Sequence, residues 1–520
     1  MTPENNWKPS FNPWLIATSV MLATFMEVLD TSVANVALPH IAGNLSATPE
    51  ESTWVLTSYL ISNAIILPAT NWLGYVFGRK RFLIVCIGIF TLSSALCGAA
   101  TSLGMLLVAR ILQGAGGGAL QPIAQAVLLE SFPAERRGSA MAVYGMGIVV
   151  APIIGPTLGG WITDNYSWRW IFYINIPVGL LAMLMAKTFI EDPPYIRNKR
   201  PGRIDYIGFG LMAVGFATLQ LVFDKGQEDD WFSSPFIVRS LLIAIVALVA
   251  FVIWELRTKD PIVNLRVFAN RNFAVGTAMI ATVGIALYGT TALLPLFLQT
   301  LLGYPALQSG LAVSPRGIGA IVSMVLVGRL IGKVDGRYLI VFGFGILAAS
   351  TYLLGNIDLE ITVRNIAWPQ VFSGFALGFV FVPLTVIATG TLSNEQIGNA
   401  TGIYNLMRNV GGSFGIAMVT TLLARGAQAH QAAMVSHLTP YDPVFRERLG
   451  QMVSGFAAQS NVVTATQQAY GAMYQTLVRQ ATLLAYIDNF RLLAFLCLLC
   501  MPAGFLFKKV RARAGPTAMH

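Results

Sequence analysis

The chain has 520 residues, of which 55% are hydrophobic and only 11% carry a charge. Soluble domains have about 25% charged residues, so this composition excludes an ordinary soluble enzyme and favours a protein that crosses a membrane many times. The net charge of +10 does not indicate a nucleic-acid partner, because the basic residues lie between long apolar runs, as they do in proteins oriented in a bilayer.

Apolar segments recur along the whole chain, and each is near the roughly 20 residues that a helix needs to cross the hydrocarbon of a bilayer. We predict fourteen transmembrane helices, which makes the chain an all-α polytopic membrane protein. The predicted spans are 14–38, 53–73, 82–101, 104–130, 138–162, 168–187, 205–223, 236–256, 273–299, 307–331, 338–355, 367–391, 399–423 and 484–507.

Basic residues predict the orientation of these spans. The early odd-numbered connections, 39–52 and 101–104, contain no Lys or Arg. Even-numbered connections and the C-terminal tail carry the basic clusters 79–81, 136–137, 187–203, 257–271 and 508–513. Because basic connections stay on the cytoplasmic side, we expect both termini in the cytoplasm.

The segment 71–80 after span 2 is echoed by the segment 328–337 after span 10, and both are small-residue helix ends followed by basic turns. Two parallel six-span repeats separated by spans 7 and 8 would produce this echo, and such repeats are typical of transporters. We therefore expect a first half at 1–187, a basic linker with two inserted helices at 188–272, and a second half at 273–520. The second half includes an outer loop at about 424–483, which is either a solvated spacer or a functional segment.

Span 1 carries two acids, Glu27 and Asp30, where an apolar helix is expected. Residues three apart lie on one helix face. A charged acid at the centre of a membrane helix costs about 2.5 kcal/mol or more, so such residues usually face a cavity or a partner. The stretch 23–39 is therefore predicted to handle protons or substrate.

Span 4 supplies a candidate partner, because it contains Arg110 and, one turn later, Gln113. Arg110 and Asp30 both lie about 10–12 Å below the outer surface at 1.5 Å per residue. Equal depth predicts that the two pair, either as a switch controlled by hydration or as a static ion pair. Glu27 lies about 4.5 Å deeper, lacks an obvious basic partner, and is expected to load a proton or meet a cation.

Span 5 is rich in glycine and contains two prolines. Glycines spaced at four and five residues allow another helix to approach closely, and proline removes backbone donors and bends a helix. Close packing against a neighbouring helix is the simplest interpretation. The residues are Gly147, Pro152, Gly155, Pro156, Gly159 and Gly160.

Together these stretches resemble the major facilitator superfamily, in particular its branch of fourteen-span drug:proton antiporters. The resemblance covers nearly the whole chain. Its matching stretches are 29–39 in span 1, 110–114 in span 4, 147–160 in span 5, 168–177 entering span 6, 368–370 and 383–385 in span 12, and 405–415 in span 13.

The resemblance implies a major facilitator fold of two six-helix halves with two inserted central helices. It implies export of amphipathic, lipophilic toxic compounds across a bacterial inner membrane, coupled to inward proton flow, without cofactor, metal or enzymatic activity. It links Asp30 and Arg110 to proton coupling and the glycine–proline motif of span 5 to antiport. It also implies a periplasmic adaptor and an outer-membrane channel as partners, which would give the outer loop a docking role.

The chain departs from the family pattern at some positions. In the loop that contains Gly78, Arg79 and Lys80, the family carries an aspartate three residues before the glycine, where this chain has Tyr75. The latch that this acid forms is therefore expected to be missing. Arg316 in span 10 is not a family feature and is expected either to have a structural role or to bind an anionic substrate group.

Further positions complete the predicted site. Arg408 in span 13 fits the family pattern and is expected to be a packing cation. Tyr288, Phe297 and Gln299 of span 9 are predicted to line the drug cavity. The alternatives to multidrug export are a dedicated exporter of one metabolite or siderophore, a proton symporter for uptake, and a membrane sensor or enzyme. The sequence has no phosphate loop and no metal-spaced histidine cluster to favour the last.

Overall fold

The computed structural model describes residues 9–133, 136–193, 205–331, 333–436, 438–458 and 461–508. Within these residues, fourteen helices are long and apolar enough to cross a membrane. They are Pro13–Asn44, Glu51–Phe77, Arg79–Gly98, Leu103–Ser131, Arg137–Asn165, Trp170–Phe189, Tyr206–Lys225, Pro235–Arg257, Arg271–Leu301, Gln308–Leu330, Gly336–Leu354, Val363–Thr389, Glu395–Val435 and Val462–Leu506, numbered here as spans 1 to 14.

Several spans begin where a polar side chain caps the first turn. The Thr48 hydroxyl accepts from the Glu51 amide at 3.2 Å, and the Glu51 carboxylate accepts from the Thr48 amide at 2.9 Å. Ser102 accepts from the amide of Met105 at 3.3 Å at the start of span 4. Such caps satisfy amides that have no partner inside the helix, so they define where the apolar runs turn helical.

Some spans are not continuous α-helices, and span 6 consists of Trp170–Tyr173 and Asn175–Phe189. Span 4 consists of Leu103–Gly117 and Leu120–Ser131, and span 10 of Ala306–Val313 and Pro315–Leu330. Span 9 ends in a π-helical turn, Phe297–Leu301. The break in span 4 follows a run of glycines, which have low helix propensity.

The two halves repeat the same helix pairings. In the first half span 1 packs on span 5, span 2 on span 4, and span 3 on span 6. In the second half the corresponding pairs are span 9 on span 13, span 10 on span 12, and span 11 on span 14. The two sets are related by adding eight to each number, as expected for parallel six-span repeats separated by an inserted pair.

The inserted spans 7 and 8 pack on each other, and span 7 also packs on span 2 of the first half and span 13 of the second. The Trp231 indole, in the connection between the inserted spans, donates to Thr421 of span 13 at 2.9 Å. The basic linker is described only at 188–193, and its predicted residues 194–204 lie outside the described part.

The halves meet at the end of the bundle where the basic segment 79–81 lies, which we call the basic end. The Tyr75 hydroxyl of span 2 donates to the Glu395 carbonyl of span 13 at 2.8 Å. The Ser139 hydroxyl of span 5 donates to the Gly328 carbonyl of span 10 at 3.1 Å. The structure therefore has its two halves in contact at this end.

The outer segment predicted at 424–483 is mostly helical in the described residues. Span 13 continues as helix to Val435, Pro443–Ala457 forms a separate helix, and span 14 begins at Val462. Hydropathy marks where a helix leaves the hydrocarbon and not where it ends, and these Ala- and Gln-rich stretches have good helix propensity. Span 1 likewise continues through Pro39 to Asn44, beyond its predicted end.

Candidate functional site

Asp30 and Arg110, predicted from depth to pair, are in contact. Arg110 Nη1 donates to Asp30 Oδ2 at 2.7 Å. The two residues are 2% and 0% exposed, so neither charge reaches the surface. A buried carboxylate is tolerated only when its charge is paired and its lone pairs are used.

Two amide side chains complete the environment of Asp30. Its Oδ1 atom accepts from Gln113 Nε2 at 2.9 Å and from Asn175 Nδ2 at 2.7 Å. Gln113 Oε1 in turn accepts from Arg110 Nη1 at 2.7 Å. Spans 1, 4 and 6 thus converge on one carboxylate, and every contact donates to it, an arrangement that matches its ionised form.

The orientation of Arg110 is determined by further contacts. Its Nε donates to the Val55 carbonyl of span 2 at 3.0 Å. The guanidinium lies over the Tyr59 ring at 4.4 Å and the Phe172 ring at 5.7 Å. Cation–π contacts of this kind favour the charged guanidinium in a site without water.

Glu27 belongs to a second buried cluster, in which its partners among the described residues are a hydroxyl and two amides. Its Oε1 accepts from the Tyr59 hydroxyl at 3.2 Å and from Asn63 Nδ2 at 3.4 Å, and its Oε2 from Gln121 Nε2 at 2.7 Å. Gln121 Oε1 also accepts from Arg408 of span 13. The Gln121 amide thus links Glu27 of the first half to Arg408 of the second. Residue spacing along span 1 cannot predict such a link between two halves.

Arg408 is therefore more than a packing cation. It is 2% exposed, and its guanidinium lies 5.8 Å from the Phe381 ring centre. Its Nη2 atom donates to Gln121 of the first half. A positive charge so close to Glu27 opposes binding of a cationic substrate there.

The main site residues missed from the sequence are amides and a tyrosine. Gln121, Asn175 and Tyr59 each donate to one of the two acids. The available signal was a polar side chain inside an apolar span. Side chains of Asn and Gln are common there as packing groups between helices, so the signal does not distinguish a site from a helix contact.

The glycines of span 5 allow close packing against span 1, as predicted. The Ser32 hydroxyl donates to the Pro152 carbonyl at 3.3 Å. A Cβ atom at Gly155 would overlap the Ser32 side chain, at Gly159 it would lie 3.0 Å from Val33 Cγ1, and at Gly147 3.0 Å from Met21 Cγ. Gly160 has no atom within 4 Å of such a Cβ and has no packing role.

This difference predicts opposite results for two identical substitutions in one motif. Gly155→Ala forces spans 1 and 5 apart and is expected to lower stability by about 1–3 kcal/mol. Gly160→Ala is the matched control and is expected to be neutral or to stabilise the helix by about 0.5–1 kcal/mol. Thermal unfolding of the two purified variants measures this; equal melting temperatures would contradict the close contact.

Pro156 lies on another face of span 5. Its Cβ is 3.9 Å from the position of a Cβ at Gly310 of span 10, so the motif also borders the second half. The glycine–proline stretch therefore contacts span 1 on one side and span 10 on the other. Span 5 is therefore one of the helices through which the two halves contact each other.

The basic turn between spans 2 and 3 is built around Gly78, whose φ of 80° is accessible mainly to glycine. Its neighbour Arg79 pairs with Glu130 of span 4, and the Lys80 amide donates to Asp192 Oδ1 at 2.9 Å. The latch was expected to be missing because Tyr75 stands in place of the acid. The Tyr75 hydroxyl donates a hydrogen bond to the Glu395 carbonyl of span 13 beside this turn.

The three residues predicted to line the drug cavity have different surroundings. Phe297 is fully buried against Tyr486 of span 14, with ring centres 5.3 Å apart, and Gln299 donates to Ser309 at 3.4 Å. Tyr288 packs its ring against Gly412 of span 13. Hydropathy places a residue in a span but does not indicate which neighbour its side chain faces.

A cavity of about 210 Å³ lies elsewhere, between spans 2, 7 and 13. Leu60, Phe223 and Ile416 supply apolar walls, and Gln220 and Asp224 supply polar ones. The Thr57 hydroxyl donates to the Asp224 carboxylate. This space lies where the two halves and the inserted helices meet.

Arg316 is buried and does not reach the membrane surface. Its exposure is 4%, and Nη1 and Nη2 donate to the hydroxyls of Thr291 and Thr290 at 3.0 and 3.3 Å. Within the described residues no carboxylate pairs with it, and its Nε has no partner. The guanidinium is thus a buried cation whose contacts are hydroxyls of span 9.

Comparison with known proteins gives one family match and several close relatives. Residues 20–416 match the model of the Major Facilitator Superfamily. The chain is 39% identical over 439 residues to the multidrug export protein EmrB of Haemophilus influenzae, covering 84% of this chain and 86% of that one. It is 37% identical over 494 residues to the fatty acid resistance protein FarB of Neisseria gonorrhoeae, covering 95% and 96%.

Solved structures agree on the fold. The human organic anion transporter MFSD10 superposes with a TM-score of 0.58 at 13% identity, covering 94% of this chain and all of that one. At this identity the likeness concerns the fold alone.

Proposed function

The chain belongs to the major facilitator superfamily, and on that premise we propose that it exports amphipathic toxic compounds by proton antiport, with alternating access between its two halves. The observation that carries the proposal is the buried carboxylate of Asp30, held by Arg110, Gln113 and Asn175 in the middle of a membrane span. The names of the relatives, multidrug export and fatty acid resistance, support the direction and the breadth of transport.

The proposed cycle uses the two acids of span 1. A proton that reaches Asp30 or Glu27 removes the charge that its donors stabilise, and so weakens the contacts of Asp30 with Arg110 and of Glu27 with Gln121. Drug leaves to the outside, the protonated carrier reorients, and the proton is released inward. One charge moving down 100 mV supplies about 2.3 kcal/mol, enough for a roughly fifty-fold gradient of a neutral drug.

We place the protein in a bacterial inner membrane with both termini in the cytoplasm. The basic clusters that follow even-numbered spans support this orientation. The basic end would then face the cytoplasm, and the halves that meet there would close the protein to the inside.

A transport assay tests the proposal. Purified protein in proteoliposomes, with an imposed pH gradient, is expected to accumulate several lipophilic compounds of unrelated structure and to release protons as each is added. Protein without a gradient is the control. Transport of the panel that is indifferent to the pH gradient would exclude proton antiport.

The second candidate, export of one anionic metabolite, is favoured by a specific observation. Among the described residues the buried guanidinium of Arg316 has hydroxyl partners and no carboxylate, so an anionic group would compensate its charge. The same panel decides between the two, because a dedicated exporter would move a single acid and none of the neutral or cationic compounds.

The outer helices are proposed as the docking site of a periplasmic adaptor that leads to an outer-membrane channel. Spans 13 and 14 have 41 and 45 residues, about 60 Å each, twice the roughly 30 Å of a hydrocarbon core. Their extensions contact each other, with Gln431 Nε2 donating to the Tyr474 hydroxyl at 3.1 Å. Two contacting helical extensions of this length exceed what a solvated spacer between spans 13 and 14 would require.

Removal of the helix Pro443–Ala457 tests this docking role. We expect the shortened protein to transport normally in proteoliposomes, because no residue of that helix approaches the buried acids, and to lose capture of a co-expressed adaptor. Unchanged capture would exclude the helix as the docking element.

A further inference from the structure

Three buried side chains form a continuous polar bridge between the halves. Glu27 of span 1 accepts from Gln121 of span 4 at 2.7 Å, and Gln121 accepts from Arg408 of span 13. The three residues are 4%, 9% and 2% exposed. The bridge lies in the interior of the bundle, away from the basic end where Tyr75 and Glu395 meet.

An amide is the side chain that this position requires. A carboxylate can only accept hydrogen bonds and a guanidinium can only donate them, whereas the Gln121 amide does both, one with each partner. Its position is itself supported, because its main-chain carbonyl accepts from the Tyr144 hydroxyl at 3.2 Å. Gln121 therefore transmits the charge of Glu27 to Arg408 without direct contact between them.

The charge balance at Arg408 depends on this bridge. Among the described residues its Nε and Nη1 have no hydrogen-bond partner, and Nη2 contacts only the amide oxygens of Gln121 and, at 3.4 Å, Asn409. The ionisable groups around Glu27 are Asp30, Tyr59, Tyr144 and Arg408. Because Arg110 pairs with Asp30, Glu27 is the anion that compensates Arg408.

We propose that Gln121 is a positioning residue that transmits the protonation state of Glu27 to Arg408 and so controls contact between the halves. When Glu27 is ionised, the bridge holds spans 4 and 13 together. When Glu27 takes up a proton, its oxygens become weak acceptors and Arg408 is left as a buried cation without an anion. Separation of the halves at the basic end then allows water to reach the guanidinium.

This inference rests on the proposed function, since it explains how proton uptake would drive reorientation of an antiporter. Its test does not need transport. Phe77 and Glu395 are exposed residues beside the inter-half contact at the basic end. Spin labels at these two positions, in a variant without the four native cysteines, report the distance between the halves by pulsed electron paramagnetic resonance.

We expect the separated fraction in nanodiscs without substrate to rise as pH falls in the parent protein. Gln121→Met removes the bridge at similar volume and is expected to raise the separated population about tenfold at high pH and to abolish its pH dependence. Glu27→Gln is expected to abolish the pH dependence as well, because this residue can no longer titrate.

Gln125→Met is the matched control. Gln125 lies one turn further along span 4 and also joins the halves, accepting from Asn405 at 2.7 Å, but both partners are neutral. Its loss is expected to shift the equilibrium while leaving the pH response intact. A pH response in folded Gln121→Met equal to that of the parent would overturn the inference.

The outcomes separate this inference from the proposed function. Loss of the pH response in Gln121→Met together with failure of the parent protein to transport would support the role of Gln121 and exclude antiport. Normal proton-coupled transport together with an unaltered pH response in Gln121→Met would support antiport and exclude the role proposed for Gln121. Thermal unfolding of each labelled variant identifies any that has not folded.

Discussion

Asp30→Asn is expected to lower drug-driven proton release by about two orders of magnitude or more, at normal expression. Asparagine keeps the shape of the side chain and an oxygen that accepts from Gln113 and Asn175. It cannot take up a proton, so the step that couples drug to proton movement is lost. The change also leaves Arg110 without its anion, which strengthens the expected effect.

Everted vesicles with a fluorescent pH indicator measure this result, with drug binding measured separately on the purified variant. Asp164→Asn is the matched control, because it makes the same chemical change at a side chain that is 71% exposed. We expect the control to release protons as the parent does. Full drug-induced proton release by Asp30→Asn would contradict the coupling role of Asp30.

Arg110→Met is expected to destabilise the protein by about 3–5 kcal/mol, because it leaves the Asp30 carboxylate buried and unpaired. The other contacts of Arg110, with the Gln113 amide oxygen, the Val55 carbonyl and the rings of Tyr59 and Phe172, are lost at the same time. The double variant Asp30→Asn/Arg110→Met removes both charges and is expected to recover most of this loss without recovering coupled transport.

Thermal unfolding in detergent of the two single variants and the double variant gives the coupling energy between the residues. Arg169→Met is the control: this half-buried arginine also stacks on an aromatic ring, Trp168 at 4.6 Å, and donates to a carbonyl, Ala100 at 3.0 Å, but within the described residues it forms no ion pair with a carboxylate. We expect a small effect there. Additive losses at Asp30 and Arg110 would mean that their ion pair does not contribute to stability.

Transport and stability are expected to separate at these positions. In the double variant the bundle keeps its packing because neither partner is left as a lone buried charge, yet no group remains at Asp30 to carry a proton. A stable but uncoupled protein would therefore distinguish the structural contribution of the ion pair from its role in transport.

The sequence by itself determined the number and class of the helices, because crossing a bilayer requires a long apolar run and such runs are local features of composition. It also determined that Glu27 and Asp30 need partners, because a charge in an apolar span is costly. The pairing of Asp30 with Arg110 followed from depth along two straight helices, a quantity that counting residues provides.

Only the tertiary structure decided which residues surround Glu27, where the cavity lies and how far spans 13 and 14 extend. The contacts of Glu27 with Gln121 and of Gln121 with Arg408 depend on rotation of three helices about their axes. Rotation is determined by packing between helices and leaves no mark on hydropathy. The sequence thus shows which charges must be compensated, and the fold shows that the two acids of span 1 are compensated separately, one within its half and one across both halves.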